Sequence, residues 1–144
     1  MLDGVFITHL KRIYHEQGDI YHAIKRSEDS FSSFGEAYFS TVNFLDVKGW
    51  KKHQEMVMNI VVPVGSIKFV LFDDRPESNT KNNYFEIVIS ASNYVRLTVP
   101  PGIWMAFQGI TPKQNLLLNI ASIEHDPREA ISVPLNEICY NWEG

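Results

Sequence analysis

The chain has 144 residues, 44% of them hydrophobic and 21% charged, with a net charge of −4. That composition fits one ordinary globular domain spanning 1–144 with apolar material for a core, and the acidic balance argues against a nucleic-acid binder, which carries a basic excess. Its single cysteine, Cys139, excludes an intrachain disulfide and fits a reducing cytoplasm, where a buried structural thiol is expected. No apolar run reaches the length of a membrane span and MLDGVFITHLKRIY lacks a signal-peptide pattern, so a cytoplasmic protein with no membrane partner is expected.

In chain order, VFITHL (Val5 to Leu10) is an apolar segment suited to adding a strand to the sheet edge of a second copy, and a homodimer is expected. YHAIKRSE (Tyr21 to Glu28) is the best helix candidate and reads equally as a strand and turn. VKGWKKHQEM (Val47 to Met56) reads as a strand in which Lys51 and His53 share one face, Trp50 and Lys52 the other. MVMNIVVPV (Met56 to Val64) is uniformly apolar and suits a strand buried on both sides. After Gly65, SIKFVLF (Ser66 to Phe72) alternates, as do YFEIVIS (Tyr84 to Ser90) and YVRLTV (Tyr94 to Val99). NLLLNIAS (Asn115 to Ser122) is again apolar throughout. Turn signals separate these runs: DDRPESNTKNN, SASN, PPG and TPKQN. Strands at this spacing with no convincing helix between them predict an antiparallel sandwich or barrel, whose mouth is the usual ligand site.

Pro100-Pro101-Gly102 forces a corner, because proline fixes φ and glycine tolerates positive φ. The next strand starts at once with Ile103, Trp104, Met105 and Phe107, so either Trp104 or Met105 points inward. A histidine and a lysine on one inward face make an acid/base pair: imidazole titrates near neutral pH, and an ammonium donates to a developing enolate oxygen. The competing reading is an exposed basic edge, since Lys48, Lys51 and Lys52 together look solvated. His9, His15, His22 and His125 are scattered, and no cysteine pair or glycine-rich phosphate loop is present.

These stretches resemble the cupin superfamily, and within it the dTDP-4-dehydrorhamnose 3,5-epimerase family of sugar-nucleotide epimerases. Lys51-Lys52-His53, then Gly65, then Pro100-x-Gly102-x-x-Met105 follows the cupin frame, with lysine and methionine where a metal cupin has histidines. GSIKFVLFDDR, VPPGIWMAFQGI, LLLNIASIEHDPRE and SVPLNEICYNW are similar to successive segments of the epimerases, and EQGDIYHAIK to their nucleotide-contacting Arg-Gly stretch, with Gln17 at the arginine. The resemblance implies an all-β double-stranded β-helix, a jelly-roll cupin. It also implies a nucleotide-linked 4-keto-deoxysugar substrate, used for surface polysaccharide such as lipopolysaccharide. In the family a histidine removes the proton beside the ketone, a tyrosine returns one to the opposite face and a lysine steadies the enolate. Here the base position falls on Lys51 and no tyrosine stands at the acid position. The roles therefore pass to His53 or Lys51 as base and to His125, Tyr38 or Tyr140 as acid. Lys48, Asn59, Asp73, Arg75, Trp104 and Met105 are the substrate-binding candidates. With Met105 facing the cavity shared by Lys51 and His53, neither a metal nor another cofactor is expected. The alternatives are a 3,4-ketoisomerase of nucleotide-linked keto-sugars and a non-catalytic sugar-nucleotide-binding or assembly module of the same fold.

Overall fold

The computed structural model describes residues 1–144. The strands are β1 (Phe6–His9), β2 (Arg12–Ile13), β3 (Ile20–Tyr21), β4 (Glu36–Thr41), β5 (Val47–His53), β6 (Met58–Val64), β7 (Ser66–Asp73), β8 (Tyr84–Ser90), β9 (Val95–Val99), β10 (Ile103–Gly109), β11 (Leu116–Ala121) and β12 (Ala130–Ser132). One 3₁₀ turn, Leu135–Glu137, supplies the helical residues. The first sheet has the order β1-β9-β6-β11-β4, the second β12-β5-β10-β7-β8, and β2 and β3 form a separate ribbon. From β4 onward the chain changes sheet at every connection except the β7–β8 hairpin. Two antiparallel sheets woven together in this way are the double-stranded jelly roll.

The alternating runs became strands with one face inward, because a period of two matches a sheet that is half covered. Between the sheets lies a core of 18 buried side chains, among them Met58, Ile60 and Val62 of β6, Phe69 and Leu71 of β7, and Leu97 and Val99 of β9. Pro100 to Gly102 is a sheet-changing corner, carrying the chain from β9 into β10. Gly102 has φ +88° and its amide donates to the His53 carbonyl at 2.8 Å, which ties the corner to the end of β5. Register then decides the inward residue: Met105 lies opposite Lys51, and Trp104 opposite Lys52. Within β5, Gly49 allows the closest approach to β10; a Cβ there would stand 2.5 Å from the Ala106 Cβ.

A second, smaller cluster of Trp50, Val70, Trp104 and Ala106 covers the outer face of the second sheet. The C-terminal segment lies over it through Val133, Ile138, Tyr140 and Trp142. Cys139, expected to be buried, is exposed: its neighbours Ile138 and Tyr140 turn toward the sheet and leave the thiol outside.

The helix candidate at Tyr21 to Glu28 is not a helix. Tyr21 belongs to β3, and the carbonyls that a helix would use are taken by side chains of the first sheet. The Tyr94 hydroxyl donates to His22 O and Arg96 Nη1 to Ala23 O, each at 2.8 Å. VFITHL supplies β1, which pairs with β9 of its own chain and leaves its other edge free. No helix is long and apolar enough to cross a membrane.

Candidate active site

A cavity of about 350 Å³ opens between the two sheets, within the size range of small-molecule sites. Met58 and Ile60 of β6, Met105 and Phe107 of β10 and Leu117 of β11 give it apolar walls. Polar groups converge from both sheets: Tyr38, Ser40 and Asn119 from the first, Lys48, Lys51, His53 and Ser132 from the second.

His53 ends β5 and is 6% exposed. Its Nδ1 is hydrogen-bonded to Glu129 Oε1. Glu129 precedes β12, whose pairing with β5 sets Ala130 opposite His53. The other oxygen of Glu129 accepts the amides of Gln54, Glu55 and Met56 at 3.0–3.1 Å. Burial alone would push this carboxyl up, but the bonds from His53 and from the Glu55 and Met56 amides outweigh it and hold the group below the ordinary glutamate range. Glu129 is therefore a carboxylate, so in the neutral imidazole the proton sits on Nδ1 toward Glu129 and the lone pair on Nε2. This is the tautomer a general base needs.

The lysines differ. Lys48 Nζ donates to Ser40 Oγ at 3.2 Å and to Thr41 O at 3.0 Å, across the cavity to the first sheet. Lys52 points to the outer face, with its ammonium 4.7 Å from the Trp104 ring and 3.4 Å from Asp74. Lys51 lines the cavity with no carboxylate beside it. On the opposite wall the Tyr38 hydroxyl accepts a hydrogen bond of 2.9 Å from Asn119 Nδ2. No three His, Cys, Asp or Glu side chains come together as a metal-binding cluster.

Of the residues singled out in the sequence, Tyr38, Lys48, Lys51, His53 and Met105 share this cavity. Six others do not reach it. Asn59 alternates with the inward Met58 and Ile60, so it faces away and bonds Arg96 and Thr98. Trp104 turns outward and donates to Asp74 at 2.8 Å. Tyr140 lies on the outer face of the second sheet against Glu86 and Lys68. His125 is exposed in the loop after β11. Asp73 and Arg75 close a turn: Asp73 is fully buried and accepts from Arg75 Nε at 2.9 Å, Ser78 Oγ at 2.6 Å and Thr80 Oγ1 at 2.7 Å.

The Asp73 knot has a pH signature. Burial would raise its carboxyl, but the donors Arg75, Ser78 and Thr80 prevail and hold it far below the ordinary aspartate range. A carboxyl depressed in the folded state adds stability that is complete above its unfolded value of about 3.9 and is lost as pH falls below it. Thermal melts between pH 6 and 2 should therefore show a steep acid limb, and Asp73→Asn should flatten that limb while lowering the plateau. An unchanged limb in the variant would contradict this assignment.

Sequence reading missed Ser40, Asn119, Ser132 and Glu129. Glu129 lies 76 residues from its partner His53 and carries no local signal. Asn119 did carry one, as a polar residue inside an otherwise apolar strand.

A two-sheet jelly roll whose barrel encloses an acid/base cavity defines a cupin. No protein-family model matches the chain. A solved dTDP sugar isomerase from Desulfovibrio desulfuricans G20 is 33% identical, with a TM-score of 0.95, covering 99% of this chain and 93% of that one. Two curated relatives are also similar. The spore coat polysaccharide biosynthesis protein SpsL of Bacillus subtilis is 24% identical across 99% of this chain and 97% of its own length. The "Probable low-salt glycan biosynthesis epimerase Agl13" of Haloferax volcanii is 26% identical across 77% of this chain and 72% of its own. The chain belongs to the dTDP-sugar isomerase and epimerase family of cupins.

Proposed function

We propose that this protein is an epimerase of a nucleotide-linked 4-keto-deoxysugar, acting in surface polysaccharide biosynthesis. One observation carries the reading: a histidine with its free nitrogen on one cavity wall and a tyrosine hydroxyl on the other. His53 Nε2 removes the proton beside the carbonyl. The resulting enolate oxygen is stabilised by the Lys51 ammonium, which stands across from apolar Met105 with no carboxylate beside it. Tyr38 then delivers a proton to the opposite face, which inverts the carbon, and exchange with water restores both groups. Lys48 supplies positive charge for the nucleoside diphosphate. The chemistry uses side chains alone, with no metal.

The family membership and the polysaccharide role of SpsL support the substrate class. The test is incubation with a dTDP-linked 4-keto-6-deoxyhexose in D₂O, followed by NMR. Deuterium entry and inversion beside the carbonyl are expected. A carbonyl that moves to the neighbouring carbon would instead favour a 3,4-ketoisomerase, a reading supported by the isomerase at 33% identity. Binding without exchange would leave a non-catalytic module.

The protein acts as a cytoplasmic homodimer in this reading. The free edge of β1 and its exposed Phe6 offer a strand and an apolar side chain to a second copy. Sedimentation velocity should give a dimer mass, and a concentration-independent monomer would remove the proposal.

A further inference from the structure

Asn119 has a lopsided set of hydrogen bonds. It stands on β11 with its Cα paired to that of Tyr38 on β4, and it is 3% exposed. Its Nδ2 donates to the Tyr38 hydroxyl at 2.9 Å, while its Oδ1 is shielded from water and has no partner. A buried amide kept only for packing or fold usually satisfies both ends. This one leaves its acceptor empty and directs its donor at a cavity phenol.

The direction of that bond matters to the phenol. A hydroxyl oxygen that accepts from an amide N–H keeps its own proton free to point elsewhere. Had the amide oxygen met the hydroxyl, the wall would hold the phenolic proton.

We infer that Asn119 is a positioning residue for the protonation half of the reaction: its Nδ2–H fixes the Tyr38 oxygen as an acceptor and turns the phenolic proton into the cavity. The inference rests on Tyr38 being the acid of the proposed epimerisation. In that reaction the C–H bond breaks as its proton goes to His53 Nε2 and its electron pair enters the enolate. A new C–H bond then forms with the phenolic proton on the opposite face. The phenolate left behind still receives the Asn119 N–H, and a solvent proton neutralises it while His53 releases the one it took. No oxidant or reductant is involved.

Two outcomes of proton return can be separated in D₂O. Return from the His53 side gives deuterium exchange with retained configuration; return from Tyr38 gives inversion. Asn119→Leu and Asn119→Asp both remove the donor and keep the branched outline of the side chain, and the aspartate keeps the volume and polar shape if leucine folds poorly. With a dTDP-linked 4-keto-6-deoxyhexose, each should raise the ratio of exchange to inversion about tenfold or more, the scale of losing a hydrogen bond to a group that becomes charged. A merely structural role would lower both processes in parallel and leave the ratio unmoved, and that result would overturn the inference. Tyr38→Phe separates the two levels. If it loses inversion while the Asn119 variants keep the wild-type ratio, Tyr38 stands as the acid and only the role of Asn119 falls. If it inverts normally, the assignment of the acid falls and the inference falls with it.

Discussion

His53→Asn should reduce deuterium exchange and inversion together by roughly 10²-fold or more, the usual contribution of a positioned general base. Asparagine has no basic nitrogen, so the proton beside the carbonyl has nowhere to go. Its amide can still donate to Glu129, which in turn holds the amides of Gln54, Glu55 and Met56. The end of β5 therefore stays capped, and the melting temperature should stay close to that of the parent. Lys51→Met should cost a similar factor of roughly 10² through loss of the enolate's cation. It should cost little stability, because the ammonium is exposed to the cavity. Full activity in both variants would place the chemistry elsewhere. Unfolding of His53→Asn would make the histidine a structural group instead.

Arg96→Met should destabilise the protein by about 3 kcal/mol, the scale of breaking a buried charge network. The arginine is fully buried on the face of the first sheet that turns away from the cavity. Its Nε donates to Asn59 Oδ1 at 3.0 Å, Nη1 to Ala23 O at 2.8 Å and Nη2 to Ser30 Oγ at 2.5 Å, and it pairs with Glu28 at 3.3 Å. One guanidinium thus fastens residues 23–30 to β6 and β9. Methionine fills much of the volume but leaves the Ala23 carbonyl without this donor and the Glu28 carboxylate without its cation, while Asn59 Oδ1 keeps only Thr98. At two to four degrees per kcal/mol for a chain of this size, the melting temperature should fall by roughly 6–12 °C. Arg96→Lys should recover little, since a point charge cannot match a planar fork with several acceptors. A shift below a degree would mean that these residues are held by other contacts.

The strands were legible because a half-covered sheet writes its period into the sequence, and YFEIVIS and SIKFVLF carry that period plainly. The face shared by Lys51 and His53 followed from the same rule, and both side chains line the cavity. The same rule set no phase at Asn59 and left the choice between Trp104 and Met105 open. Asn59 and Trp104 are each one residue out of phase with an inward neighbour, and an apolar run such as MVMNIVVPV offers no alternation to fix the phase. Asp73 and Arg75 looked like ligand contacts, yet a charged pair at a strand end serves turn geometry just as well. Glu129 was invisible for a different reason. The partner of a buried histidine is chosen by strand pairing, here β12 against β5, and pairing between strands far apart in sequence leaves no local trace. YHAIKRSE failed as a helix because Tyr94 and Arg96, some seventy residues away, claim its carbonyls.

All three tryptophans stand on one side of the molecule. Trp50 and Trp104 are in the outer cluster of the second sheet, and Trp142 packs on them with its ring centroid 5.9 Å from that of Trp50. Intrinsic fluorescence therefore watches the docking of the C-terminal segment rather than the cavity. Release of residues 133–142 would wet all three indoles and redden the emission while the jelly roll, seen by circular dichroism, stays intact. That same segment begins directly after β12, whose pairing with β5 carries Glu129, so the colour of the emission reports the covering of the outer face separately from the contact between the histidine and its carboxylate.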